Sequence, residues 1–309
     1  MESQFIMWIV FGAIIAAALF VDLGVLNRRS HEVSLKEAAG WCAAWVTLAL
    51  LFGVWIYFRL GSQKALEFLT GYVIEYSLSV DNMFVFIMIF SYFNVPRIYQ
   101  ARVLHWGILG AVVMRFMLIF AGVALLNAFH WIIYFFGGVL IFTGFKMLRH
   151  KDAELDPGKN PVLTLIKRFI PFETQYDGEA FFVKKGALWH ATPLFATLIV
   201  VEASDLVFAV DSIPAILAIT TDTLIIYTSN VFAILGLRSL FFLLSGIMGY
   251  FRYLKPGISI ILCFIGMKMF LVDVYKVPIG VSLAVIAGIL LVAILASVGI
   301  KQKGSLAGQ

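Results

Sequence analysis

Apolar residues run along this chain in blocks of twenty or so, separated by short polar connections, and show no sustained alternation with polar positions. A block of that length crosses a hydrocarbon core of about 30 Å when it is helical. Helix is required, because lipid leaves exposed backbone N–H and C=O groups unsatisfied. The pattern predicts nine helices: Phe5–Leu26, Ala38–Phe58, Leu66–Phe93, Val103–Leu126, Trp131–Leu148, Ala191–Ile219, Leu224–Tyr250, Gly257–Val274 and Pro278–Ile300. Pro96, Pro256 and Pro278 fall at predicted ends, where a missing N–H does least harm. The fold class expected is an all-α polytopic membrane protein.

Composition agrees, with 62% hydrophobic and only 13% charged residues, against roughly 25% charged in a soluble domain. The net charge of +5 does not indicate nucleic acid, since the basic residues form no stripe with interleaved aromatics. They sort instead by side of the membrane. Sixteen, among them Arg28, Arg97, Arg149, Lys184, Arg252 and Lys301, fall on one side of the alternation, and only Arg59, Lys64 and Lys276 on the other. By the positive-inside rule the N-terminus is outside and the C-terminus cytoplasmic. The first block is too long for a signal-peptide core and is followed by no persuasive cleavage site, so it is expected to be a retained helix. Cys42 and Cys263 lie in apolar blocks and read as small buried hydrophobes, with no CxxC pair and no disulfide framework.

Two stretches of the chain resemble each other. Glu75-Tyr-Ser-Leu-Ser-Val-Asp81-Asn82 matches Asp205-Leu-Val-Phe-Ala-Val-Asp211-Ser212. Farther on, Ile108-Leu109-Gly110 matches Ile234-Leu235-Gly236, and Phe142-Thr-Gly144-Phe-Lys146-Met147 matches Phe264-Ile-Gly266-Met-Lys268-Met269, in the same order. Each copy holds three predicted helices, so the two are expected to insert in opposite orientations, as in many secondary transporters. The organisation expected is two N-terminal helices (1–60), a first three-helix repeat (64–150), a cytoplasmic linker loop (151–190), a second repeat (191–274), and a last helix with a cytoplasmic tail (278–309). Regulation by a partner or by metal at the loop's acids is the other reading of 151–190.

Glu75, Asp81, Glu202, Asp205 and Asp211 fall inside predicted helices, and Asp22 lies toward the inner end of the first. An ionised carboxylate at mid-bilayer costs about 2.5–3.5 kcal/mol even on lenient scales. Pairing with Arg115, Arg238, Lys146 and Lys268 would offset part of that cost, but six acids against four bases leave two negative charges, enough for one divalent cation or two protons. On a helix, Glu75 and Asn82 share a face, as do Asp205 and Ser212, whereas positions six apart diverge by about 120°. Bending or unwinding of the third and sixth helices, aided by Pro214, is therefore expected if both acids of each motif converge. Carboxylate, amide and hydroxyl oxygens suit magnesium, calcium or manganese, and no histidine or cysteine stands beside them to favour zinc or copper. The metal-ligating candidates are Glu75, Asp81, Asn82, Glu202, Asp205 and Asp211.

The runs Gly71–Phe86, Glu202–Ala215 and Thr228–Arg238 resemble the TerC family, closest to its Alx branch, and the resemblance covers nearly the whole chain. It implies a manganese exporter of the bacterial inner membrane, historically tied to tellurite resistance, with Glu75, Asp81, Glu202, Asp205 and Asp211 at the family's acidic positions. The transported ion would be a substrate, with no permanently bound cofactor and no nucleic-acid partner; protein partners are not specified. A calcium or magnesium exchanger and a metal sensor that does not transport are the alternatives. The chain has no HExxH, Walker A or nucleophile-elbow motif, so an enzyme is not expected.

Overall fold

The computed structural model describes residues 2–20, 33–129, 131–149, 161–185, 188–247, 253–275 and 277–299, with the side chains of a few of these, Asp81 and Asp211 included, outside the description. The expected Asp22 lies outside the described residues. The helices are α1 (Glu2–Phe20), α2 (Leu35–Leu60), α3 (Ser62–Tyr92), α4 (Arg97–Ala128), α5 (Ile132–Arg149), α6 (Pro161–Ile166), α7 (Pro193–Leu217), α8 (Thr223–Leu235), α9 (Leu237–Ile247), α10 (Leu254–Phe270) and α11 (Ile279–Gly299). A two-stranded antiparallel hairpin, β1 (Phe182–Lys185) and β2 (Leu188–Ala191), precedes α7.

Each predicted apolar block is occupied by helix. Six helices (α2, α3, α4, α5, α7 and α11) are long and apolar enough to cross a membrane, and α8 with α9 makes a seventh if the bent pair is one span. The apolar cores of α1 and α10 are shorter. The protein is thus a helical, polytopic membrane protein. α3 lies at its centre, with 69% of its apolar window buried, whereas α11 at the periphery has 17% buried.

Helix ends follow local chemistry. Ser34 caps α2 by accepting from Glu37 N, and Asp222 caps α8 by accepting from Leu224 N. At the end of α3, Asn94 takes a positive φ of 52°, Val95 N bonds back to Phe90 O and Asn94 N to Ser91 O. That is a Schellman stop with asparagine in the left-handed position. Hydroxyls inside the helices, such as Thr70, Ser77, Thr197 and Ser204, donate to the carbonyl four residues back. This satisfies them without a partner from lipid.

The third and sixth predicted helices are unbroken. α3 and α7 are continuous, and Pro214 falls in the last turn of α7, where few helical bonds remain to be broken. The break is in the seventh instead, 43° between α8 and α9 at Gly236, where Tyr76 and Trp45 lie alongside.

The segment expected to be a plain linker also carries structure. Residues 161–191 form α6 and the hairpin, and they dock on the bundle where α3 ends and α4 begins. Tyr176 OH donates to Phe93 O at 2.7 Å, Arg102 pairs with Glu179 at 2.9 Å and stacks over Phe181, and Thr192 Oγ1 donates to Ala180 O. β2 runs through Ala191, so α7 starts later than the sixth predicted helix.

The α5–α10 interface is reciprocal. A Cβ on Gly144 would stand 2.7 Å from Ser259 O and 2.6 Å from Cys263 Sγ, and one on Gly266 would stand 2.7 Å from Gly137 O and 2.8 Å from Ile141. Later residues of one helix meet earlier residues of the other, so the two run antiparallel. Ser259 and Cys263 hold the same offsets from Gly266 that Gly137 and Ile141 hold from Gly144. α3 runs parallel to α8, with Gly71 at Ser229 and Tyr76 at Gly236, and α4 runs parallel to α7, with Gly107 at Val201 and Gly122 at Leu217.

Candidate functional site

α3 and α7 cross antiparallel, a register fixed by Glu67 against Thr220 and Gly71 against Ile216. Continuing that register brings Glu75 level with Ser212, and Asp205 level with Asn82. The two repeated motifs therefore face each other across the crossing. Glu75, Asn82, Asp205 and Ser212 are all buried.

Arg115 of α4 reaches into this crossing and is completely buried. Its Nη1 bonds Glu75 Oε1 and, at 3.1 Å, Ser212 Oγ, while Nη2 bonds Asp205 Oδ1 at 3.3 Å. One guanidinium thus ties a carboxylate from each copy of the repeat. The fit is incomplete. Glu75 Oε2, Asp205 Oδ2 and Arg115 Nε are buried and have no hydrogen-bond partner among the described residues. Unsatisfied groups of this kind, where water is scarce, are costly and call for an explanation.

Glu202 stands one turn before Asp205 on α7, and no hydrogen bond or ion pair with a described residue engages it. Its carboxylate lies over Gly110 of α4, where the lack of a side chain leaves it room. Glu202 and Asp205 border one small cavity of about 10 Å³, lined also by Phe86, Leu104, Gly107 and Ala111. A volume near 10–15 Å³ on this measure is room for about one water or a similarly sized ion. Glu75 and Asp205 thus share one guanidinium, and Glu202 borders the same cavity as Asp205.

Of the six expected ligand residues, Glu75, Asn82, Glu202 and Asp205 come together here. Asp81 and Asp211 continue α3 and α7, but their side chains lie outside the described residues. Among the described residues, no three His, Cys, Asp or Glu side chains are arranged as a ready-made metal cluster. Arg238, on α9, acts electrostatically on His105. Lys146 and Lys268 are in the last turns of α5 and α10.

Sequence reasoning missed two features. Glu67, buried in the first turns of α3, accepts from Thr220 Oγ1 at 2.6 Å and pairs with Lys64 at 2.9 Å, and Lys64 also reaches Asp222 at 3.1 Å. This clasp ties the start of α3 to the α7–α8 turn. Glu67 stands just inside the third predicted helix, so an acid in an apolar block could have flagged it. The second is Asn230 of α8, fully buried with neither amide atom partnered among the described residues.

The family model for the integral membrane protein TerC family matches residues 60–305. An uncharacterised membrane protein of Myxococcus xanthus, STKORF319, is 52% identical over 94% of this chain and 91% of its own length. Two proteins named "Putative membrane-bound redox modulator Alx" are each 47% identical. That of Escherichia coli strain K12 aligns over 97% of this chain and 98% of its own, and that of Salmonella typhi over 96% and 95%. No solved structure matches the chain.

Proposed function

The chain belongs to the TerC family of integral membrane proteins, and from that membership we propose that it is a secondary transporter exporting a divalent cation, manganese(II) foremost, in exchange for protons. One observation carries the reading: carboxylates from both copies of the repeat meet at a buried crossing on one guanidinium, with oxygens that have no partner among the described residues. A dication or protons would satisfy them. The oxygens of Glu75, Glu202 and Asp205, with Asn82, Asp81 and Asp211 on the same helices, are hard ligands suited to manganese, calcium or magnesium. They carry no redox couple of their own, so a redox effect like that in the Alx relatives' name would follow here from the metal moved.

The reciprocal α5–α10 contacts and the antiparallel α3–α7 crossing support two inverted repeats with the site between them. The bacterial inner membrane is the proposed location, with the N-terminus outside and the C-terminus cytoplasmic, in keeping with the distribution of Lys and Arg. Calcium or magnesium is the alternative cargo, which the oxygen donors alone do not separate from manganese.

The test is uptake of radiolabelled manganese by vesicles containing the purified protein, with calcium and magnesium as competitors. Glu75→Gln, Asp81→Asn and Asp211→Asn should each abolish uptake with the protein still inserted, while Asp152→Asn in the loop should leave it unchanged. Normal uptake by all three intramembrane variants would refute the site.

A further inference from the structure

Two cavities of very different size share one set of helices. The larger, about 760 Å³, lies at the end of the bundle where α3 turns into α4, and the smaller is the one beside Glu202 and Asp205. On each of three helices the residues lining them stand four apart: Phe90 and Phe86 on α3, Gln100 and Leu104 on α4, Phe241 and Leu237 on α9. The first of each pair lines the larger cavity and the second the smaller. Four residues make about one helical turn, or about 6 Å, so a single turn of all three helices separates the two spaces. The layer between them is apolar. Phe90 and Phe241 pack edge to face with ring centroids 5.1 Å apart, and both are buried. Beyond that layer Ser91, Asn94, Arg97 and Ser245 line the larger cavity and are exposed, so it reaches the surface at the end of the bundle. Arg97 is the one charged residue in this lining among those described, and at the exposed rim its charge is screened by solvent.

We propose that the larger cavity is the vestibule through which a hydrated divalent cation reaches the carboxylates, and that Phe90 and Phe241 form the barrier that shuts it. This rests on the reading of the crossing as a metal-transport site. A hydrated ion cannot pass between two packed aromatic rings without giving up water to an apolar surface, so such a layer stops ions with no charge of its own. The smaller cavity has room for about one water, whereas the larger has room for many. A site shut off on this side, with its approach still wet, has that form. Ser91, Asn94, Gln100 and Ser245 supply oxygens in the approach, which can stand in for part of an ion's hydration shell. Alternating access needs a barrier of this kind on either side of a fixed site, one parting while the other holds. Parting the two rings would join the cavities across one turn of helix.

The experiment reads side-chain access with a membrane-impermeant, positively charged thiol reagent on protein in vesicles, the unsubstituted chain with Cys42 and Cys263 giving the background. Ser245→Cys should react from one face only, the cytoplasmic face on the proposed orientation, and its modification should lower manganese transport about tenfold or more by blocking the path. Ala111→Cys, lining the smaller cavity, should react slowly. Adding Phe241→Ala should speed that reaction about tenfold or more from the same face, because the apolar layer is then breached. Phe241→Leu, which removes the ring but keeps an apolar side chain, replaces the alanine variant if that one does not fold, and should act in the same direction. Full transport by modified Ser245→Cys protein would overturn the vestibule. So would a Ser245→Cys that reacts in detergent but not in vesicles, since lipid would then fill the cavity. Unchanged reactivity of Ala111→Cys in both Phe241 variants would overturn the barrier. Labelling does not depend on transport. Wild-type protein that moves no manganese would refute the metal-transport reading, whereas normal wild-type transport with any of those labelling results refutes the route alone.

Discussion

The carboxylate of Glu202 occupies the space that a side chain on Gly110 would fill, with Oε2 2.6 Å from the position of a Cβ there and Oε1 nearer still. The relationship joins the one acid of the site without a partner among the described residues to a glycine within the second of the repeated sequence matches. It gives that glycine a reason other than backbone freedom, since it lies in regular helix.

Gly110→Ala should therefore displace the Glu202 carboxylate without unfolding α4, where alanine is favoured over glycine by about 1 kcal/mol. Manganese transport is expected to fall about tenfold, one charge-assisted contact's worth, while thermal stability holds or rises. Gly107→Ala is the control, because its Cβ would meet Val201 at an ordinary 3.5 Å. Equal activity of both variants would show that the position of Glu202 over Gly110 is irrelevant to transport.

The α5–α10 interface yields a stability prediction. Gly144→Ala and Gly266→Ala each put a methyl within 2.7 Å of a backbone carbonyl on the other helix, which cannot retreat as a side-chain tip can. Each should cost about 1–3 kcal/mol through overpacking, read as a lower unfolding temperature in detergent. The two contacts are about 10 Å apart along the helices, so the double variant should show nearly the sum. A neutral Gly266→Ala would mean that the helices do not approach as closely as described.

Much of the fold was legible because membrane insertion makes the hydrophobic pattern almost sufficient: each expected apolar block holds helix. The acids were legible for the same reason, as a carboxylate in an apolar block is conspicuous. What joins them was not. Arg115 finds Glu75 forty positions earlier and Asp205 ninety later, and only the registers of α3, α4 and α7 decide that Arg115 reaches the site. The break was misplaced because Pro214 is a strong local signal that happens to fall in a last turn. It falls instead at Gly236, where Tyr76 and Trp45 of other helices lie in ordinary contact, which no local pattern displays. The hairpin at 182–191 was hidden in a stretch whose charges and prolines read as a linker.

Lys64 is the shared partner of two acids, so removing it should cost more than removing either. Lys64→Met leaves Glu67 buried beside Thr220 with its charge uncompensated. With Lys64 itself about one-third exposed, the loss should be about 1–3 kcal/mol, below that for a fully buried pair. Adding Glu67→Gln should recover most of it, since glutamine keeps an acceptor for Thr220 and removes the stranded charge. A thermal-unfolding cycle over the single and double variants measures the coupling, and strict additivity would show that Lys64 and Glu67 do not interact.

Export of a dication must be driven. Moving it outward against an interior-negative potential of 100 mV costs about 4.6 kcal/mol, twice the roughly 2.3 kcal/mol per charge. The chain contains no nucleotide-binding motif to supply that work, so an ion gradient is the expected source. A site that holds a dication in the membrane needs other positive charge when the metal leaves, so a departing metal should be replaced by protons. Replacement of one dication by two protons moves no net charge. Two measurements check this in vesicles. An imposed pH gradient should drive manganese uphill at zero membrane potential, and manganese added to one face should release protons from the other in a ratio near two. Clamping the potential at different values should leave the rate unchanged, because an electroneutral cycle does not feel it. Manganese uptake that survives collapse of the proton gradient but stops when sodium is withdrawn would replace the proton with sodium as the coupling ion, and a steep dependence on potential would overturn the count of two.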